Sequence, residues 1–186
     1  MEVWRYTEVY ICIMKTASIQ ELKQEMQQTG NAKLVELCLR LARFKKENKE
    51  LLTYLLFESH NEEGYVESVK VLMDEEFAEL PKSSVYLTKK SLRKILRITG
   101  RHIKYTASKQ AEASLLIYFC QQMKKIVPNI TRNAVLYNVY MQQIKKTNAA
   151  LATLHEDLQY DFLRELDGLQ LEDSSVLSKI FGKRKR

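Results

Sequence analysis

Turn-forming residues are scarce in this chain: five glycines and two prolines among 186 residues. Sheet-rich proteins and nucleotide-binding α/β proteins need more of them, and a phosphate-cradling loop needs clustered glycine. Neither a P-loop nor a GxGxxG string occurs. Cysteine is equally sparse. Cys12, Cys38 and Cys120 are odd in number and lack paired spacing, which argues against a disulfide framework and fits a reducing cytoplasmic setting. Cys38 and Cys120 sit in apolar runs, where a free thiol behaves as a small hydrophobe. No apolar run reaches the length of a membrane span, so no membrane partner is expected. The three histidines, His60, His102 and His155, are isolated. Carboxylates follow His60 and His155, but no second histidine stands four residues on, as a zinc helix requires. His155 reads better as a satisfied core residue. No metal, cofactor or catalytic residue is assigned: no Ser/His/Asp or Cys/His arrangement stands out, and catalysis from scattered residues is the weakest alternative.

Hydrophobic content of 45% and charged content of 28% argue against disorder. The length suits one domain. Abundant Leu, Lys, Glu and Gln favour helix almost throughout. The expected fold is all-α: a single multi-helix domain of about six helices over residues 14–168. It would form a bundle or a HEAT-like array of helical hairpins, though no repeat of fixed period is present. Residues 1–13 alternate like a strand with no partner strand downstream, and they lack the features of a secretory signal. They read as a leader or arm, or as an extension ahead of a native start at Met14. Residues 169–186 read as a basic, loosely held tail. The net charge is +7, but Lys179, Lys183, Arg184, Lys185 and Arg186 supply five of the positive charges. The high isoelectric point is thus largely a tail effect and by itself points to no nucleic-acid partner.

Leu34 to Glu58 has the most regular apolar pattern. Leu34, Leu37, Leu41, Phe44, Asn48, Leu51 and Leu55 alternate at three and four residues, and Val35, Cys38, Leu39, Leu52, Leu56 and Phe57 widen the face. It reads as the central helix of the domain, with Leu41, Phe44, Leu51 and Leu55 buried. The polar band from Arg43 to Glu50 marks a solvated waist or a break into two helices. A capping box, Ser18-Ile-Gln-Glu21, opens a short helix before it, and Asn31 is a candidate cap for the central helix itself. Asn48 and Asn148 occupy seam positions. Each either fixes the register of a partner or hydrogen-bonds a backbone carbonyl at a helix break. The last run alternates at four and three through Tyr137, Met141, Ile144, Asn148, Leu151, His155, Leu158 and Phe162, with Thr131 as its cap. Unbroken from Arg132 to Asp167 it would be about 54 Å long, beyond the roughly 40 Å diameter of a compact domain this size. A bend or break near Thr147-Asn148 is therefore expected.

Charge is segregated between two other helices. Residues 62–79 are acidic, and Pro81 to Ala111 contains no Asp or Glu but nine Lys and Arg residues. Within the latter, Leu92, Ile95, Leu96, Thr99 and Ile103 form an apolar face. Lys89, Arg93, Arg97 and Arg101 recur every four residues along another face, a stripe about 18 Å long, with Lys90, Lys94 and Lys104 beside it. These seven residues are the candidate anion or partner surface. They can neutralise phosphates in line, with Tyr86 and Tyr105 at the flanks. Alternatively they pair with the acidic helix through Glu67, Asp74 or Glu75, or form a solvated face.

The order of a leucine-rich helix carrying Lys46-Glu-Asn-Lys49, an acidic helix, the string KKSLRKILR at 89–97 and a long Tyr-rich C-terminal helix resembles an uncharacterised all-helical family of bacterial proteins, over residues 18–167. The resemblance implies a bacterial cytoplasmic helical domain and brings no assigned activity or functional residues. The leading expectation is a helical module that binds a protein partner. A nucleic-acid-binding accessory protein using helix 88–105 and the tail is the alternative.

Overall fold

The structure is a computed structural model and describes residues 16–81, 84–127 and 130–169. The leader at 1–13 and the basic tail beyond Leu169 lie outside the described residues. All eight helices of more than a single turn are α-helices, and there is no strand among the described residues. The all-α expectation holds, with two more helices than the six expected because both long runs are broken. The chain divides into two compact units between Glu50 and Leu51.

The first unit contains α1 (Ile19–Gln28), α2 (Asn31–Phe44) and the start of α3 (Lys46–Thr53). The capping box forms as its sequence predicts. Glu21 N donates to Ser18 Oγ at 3.3 Å, and Ser18 N donates to Glu21 Oε2 at 2.7 Å. The Ser18 N–H, and then the Ser18 hydroxyl donating to Glu21 Oε2 at 2.8 Å, hold the Glu21 carboxyl below its ordinary range. Asn31 is the first residue inside α2 rather than its cap, which is Gly30. The polar band is a break: Lys45 is extended, with φ −142° and ψ 144°. Asn48 Nδ2 donates to Leu41 O at 2.9 Å across the gap. It thereby satisfies one of the carbonyls that a helix end leaves open. The amide serves the helix break.

The seam of this run is not core. Leu41, Phe44 and Leu55 are exposed, Phe44 by 76%, and only Leu51 packs partly against the core. Neither α1 nor α2 has a buried residue. The periodicity identified a helix correctly, but among the described residues its apolar face stays exposed over Leu41 and Phe44.

The second unit is organised around a different helix. After a π-turn at Tyr54–Glu58 come α4 (Glu62–Ala78), α5 (Val85–Thr106), α6 (Lys109–Ile126), a 3₁₀ turn at Ile130–Arg132, α7 (Ala134–Leu151) and α8 (Glu156–Asp167). α6 packs on α7, α4, α5 and α8. Ala113, Leu115, Phe119, Cys120 and Met123 are wholly enclosed. Its charges lie only in its first and last turns, Lys109 and Glu112 at one end and Lys124 and Lys125 at the other. The charge-free run between them, Ala113 to Met123, is the sequence mark of a helix covered on every side. Ser108 caps it, accepting from Ala111 N at 3.3 Å and donating to Glu62 Oε1 at 2.6 Å.

Asn133, not Thr131, caps α7, accepting from Val135 N and Leu136 N. The buried line of α7 is Leu136, Val139, Tyr140, Gln143, Thr147, Ala150 and Leu151, one position aside from the expected seam. Two polar residues hid it. Gln143 Nε2 donates to Val139 O and Thr147 Oγ1 to Gln143 O, so both are buried with a partner at hand. Asn148 likewise donates to Ile144 O at 3.0 Å. With its side chains satisfied internally, the helix runs one turn past Thr147-Asn148 and breaks over residues 152–155. His155 is exposed at the N-cap of α8 and is not a core residue. Leu169, placed at the start of a loose tail by sequence, is buried, with its carbonyl accepting from Tyr140 Oη at 2.7 Å.

Candidate functional site

The basic stripe lies on α5, whose opposite face carries the buried residues Leu92, Ile95 and Thr99. That burial turns the four-residue repeat outward. Lys90, Arg93, Lys94, Arg97 and Lys104 are exposed and Lys89 is half-buried. Arg101 departs from the stripe: it is half-buried, with Nε enclosed. Tyr86, Lys89, Lys90, Ser91, Arg93, Lys94 and Arg97 line a shallow depression. Tyr86 is 73% exposed there, whereas Tyr105 is buried. Of the two flanking tyrosines, only Tyr86 can meet a ligand.

The acidic helix α4 does pack on α5, yet it leaves most of the stripe uncovered. Lys94 Nζ meets Glu76 Oε2 at 2.6 Å. The expected pairing of Arg93 or Arg97 with Glu67, Asp74 or Glu75 does not occur: no carboxylate of the described residues lies in ion-pair distance of either arginine. Several of the acids are engaged elsewhere. Asp74 accepts from Tyr118 Oη at 2.6 Å on α6, Glu67 pairs with Lys70 one turn along its own helix at 2.7 Å, and Glu62 takes the Ser108 hydroxyl. Lys70 also sits 5.5 Å over the Tyr118 ring. Burial, and then the bond to Asp74, raise the Tyr118 phenol.

A second surface was not foreseen as a site. On the first unit, Ile19, Leu22, Met26 and Leu34 line an apolar groove with Lys23, Gln27, Thr29 and Asn31. Ile19 is 82% exposed, and Val35, Leu41 and Phe44 are each more than half exposed. The signal lies in the breadth of the apolar face of α2, which by sequence alone reads equally as a demand for internal cover.

A cluster of aromatic and imidazole groups joins α4, α5 and the π-turn. Tyr65 Oη and His102 Nδ1 are 2.7 Å apart, the Tyr54 ring lies 4.5 Å from that of Tyr65, and Tyr105 meets His102 edge-on at 5.6 Å. No local pattern signals the Tyr65–His102 pair, which spans 37 residues. Three of its four rings are buried, so it serves to pin the helices together. Among the described residues no group of three His, Cys, Asp or Glu side chains converges as a metal site would require, and no helix is long and apolar enough to cross a membrane. No protein-family model, curated protein or solved structure matches the chain.

Proposed function

We propose that this chain is a helical interaction module that binds a protein partner through the apolar face of α1 and α2. One observation carries it: the two helices contain no buried residue, while Ile19, Leu41 and Phe44 are mostly in solvent. Apolar surface left in water is unfavourable by about 25 cal/mol per Å². A continuous exposed patch of it is a mark of an interaction site. The partner is a protein with an apolar helical surface. Arg40, Arg43, Lys45 and Lys46 crowd the C-terminal end of the face, so an acidic rim on the partner complements it. A cytoplasmic location fits the unpaired thiols Cys38 and Cys120. It also fits the resemblance to helical bacterial proteins.

The test compares the full chain with an L41E/F44E variant as bait in extracts of the native cell, with light scattering of both. Both substituted positions are exposed, so the melting temperature should not move. A partner held by the wild type and released by the variant is the expected result. Identical capture by both removes this face from the function. A wild-type dimer that the variant splits would assign the face to a second copy instead.

A further inference from the structure

We propose that the exposed face of α5 binds single-stranded nucleic acid, with Lys89, Lys90, Arg93 and Arg97 neutralising phosphates in line and Tyr86 stacking on a base. This surface is separate from the apolar face of α1 and α2, and neither proposal depends on the other. Four features point to it. The segment from Pro81 to Ala111 carries no acid at all, so nothing on the helix opposes a polyanion. Of the six acids of the neighbouring helix α4, Asp74, Glu62, Glu67 and Glu76 are committed to Tyr118, Ser108, Lys70 and Lys94. Arg93 and Arg97 are exposed without an ion pair among the described residues. Finally, an exposed aromatic ring shares the depression with the cations.

Successive cations four residues apart on a helix advance about 6 Å. Lys89, Arg93 and Arg97 therefore form a straight ladder that tracks an extended backbone. Tyr86 stands one turn before Lys89, at the end of that ladder. A tyrosine face stacks on any base that is not already stacked in a duplex, which is why the ring favours a single strand. One ring gives little sequence preference, so binding is chiefly electrostatic. Four phosphate contacts on a single strand predict a log–log salt slope of about −3. Val85 and Leu87 beside Tyr86 are also partly in solvent. An anionic lipid surface is therefore the competing polyanion.

The experiment is fluorescence anisotropy of labelled oligo(dT) and oligo(U) of about 15 nucleotides, near the upper site size of a small single-strand binder. The full-length chain is titrated between roughly 50 and 200 mM salt. R93E/R97E should weaken binding about tenfold or more and make the slope shallower by about 1.4, the share of two contacts. Y86A should weaken binding about fivefold or more and leave the slope unchanged, since stacking releases no counterion. Circular dichroism and melting should show all variants folded. Oligo(U) against oligo(dT) distinguishes RNA from DNA. Wild-type binding that R93E/R97E leaves intact, or no binding at the lowest salt, overturns the proposal. So does a duplex of equal length that binds more tightly with Y86A neutral. Phosphatidylserine vesicles or polyglutamate that match the oligonucleotide, and lose their binding in R93E/R97E, would reassign the face to a membrane or an acidic protein.

Discussion

Phe119 and Phe44 carry the same side chain in opposite surroundings. Phe119 is enclosed in α6, with its ring 5.4 Å from that of Phe77, while Phe44 at the end of α2 is 76% exposed. Phe119→Ala should cost about 3–5 kcal/mol, because it loses the transfer energy of the ring and leaves a cavity in a packed core. Phe44→Ala should stay within about 0.5 kcal/mol. Urea unfolding of the two variants checks this; equal losses would place Phe44 in a core. Both positions looked alike from their neighbours. Leucine and phenylalanine at helical spacing state only that a face is apolar, and they do not say what covers it. The polar core residues Gln143 and Thr147 were missed for the converse reason. Each bonds a carbonyl four residues back within α7, and that possibility does not show in a hydropathy pattern.

Helix boundaries were more legible, because local chemistry makes them. Ser18 with Glu21, Pro81 and Ser108 end or begin helices where the sequence places them. Where two nearby residues could both cap, the competition was settled by geometry, as with Asn133 over Thr131. The end of α5 is unusual. Ala107 takes φ 50° and ψ 18° so that its N–H reaches Ile103 O. A left-handed conformation strains a residue with a Cβ by about 1–2 kcal/mol, and glycine is the usual occupant. Ala107→Gly should therefore stabilise the protein by about 0.5–1 kcal/mol, the strain relief less the added freedom of the unfolded chain. Thermal or urea denaturation measures it. A loss of stability would show that this turn is not left-handed in solution.

At the level of the molecule, the second unit buries several groups that must stay neutral. Burial pushes the Cys120 thiol from its ordinary 9.0 up to about 12. It also raises the phenols of Tyr140, Tyr118 and Tyr54. Above about pH 9 the unfolded chain gives up protons that the folded chain keeps, so unfolding gains. Stability should be intact at pH 7, begin to fall near pH 9 and decline through pH 12. The slope is about 1.4 kcal/mol per pH unit for each group involved. Urea midpoints at pH 7, 9 and 10.5 measure the decline, and a flat profile would contradict the burial of Cys120. The same core explains what could be read in advance. Low glycine and proline, helical periodicity and capping residues determined the all-α class, most helix limits and the segregation of acid from base along the chain. These are local properties of neighbouring residues. Only tertiary packing decided that α6 lies at the centre of the second unit while α2 buries no residue, and that Asp74 and Glu62 turn to Tyr118 and Ser108 and leave Arg93 and Arg97 facing solvent. Burial and charge pairing depend on which faces meet, and residues far apart in sequence compete for the same contacts.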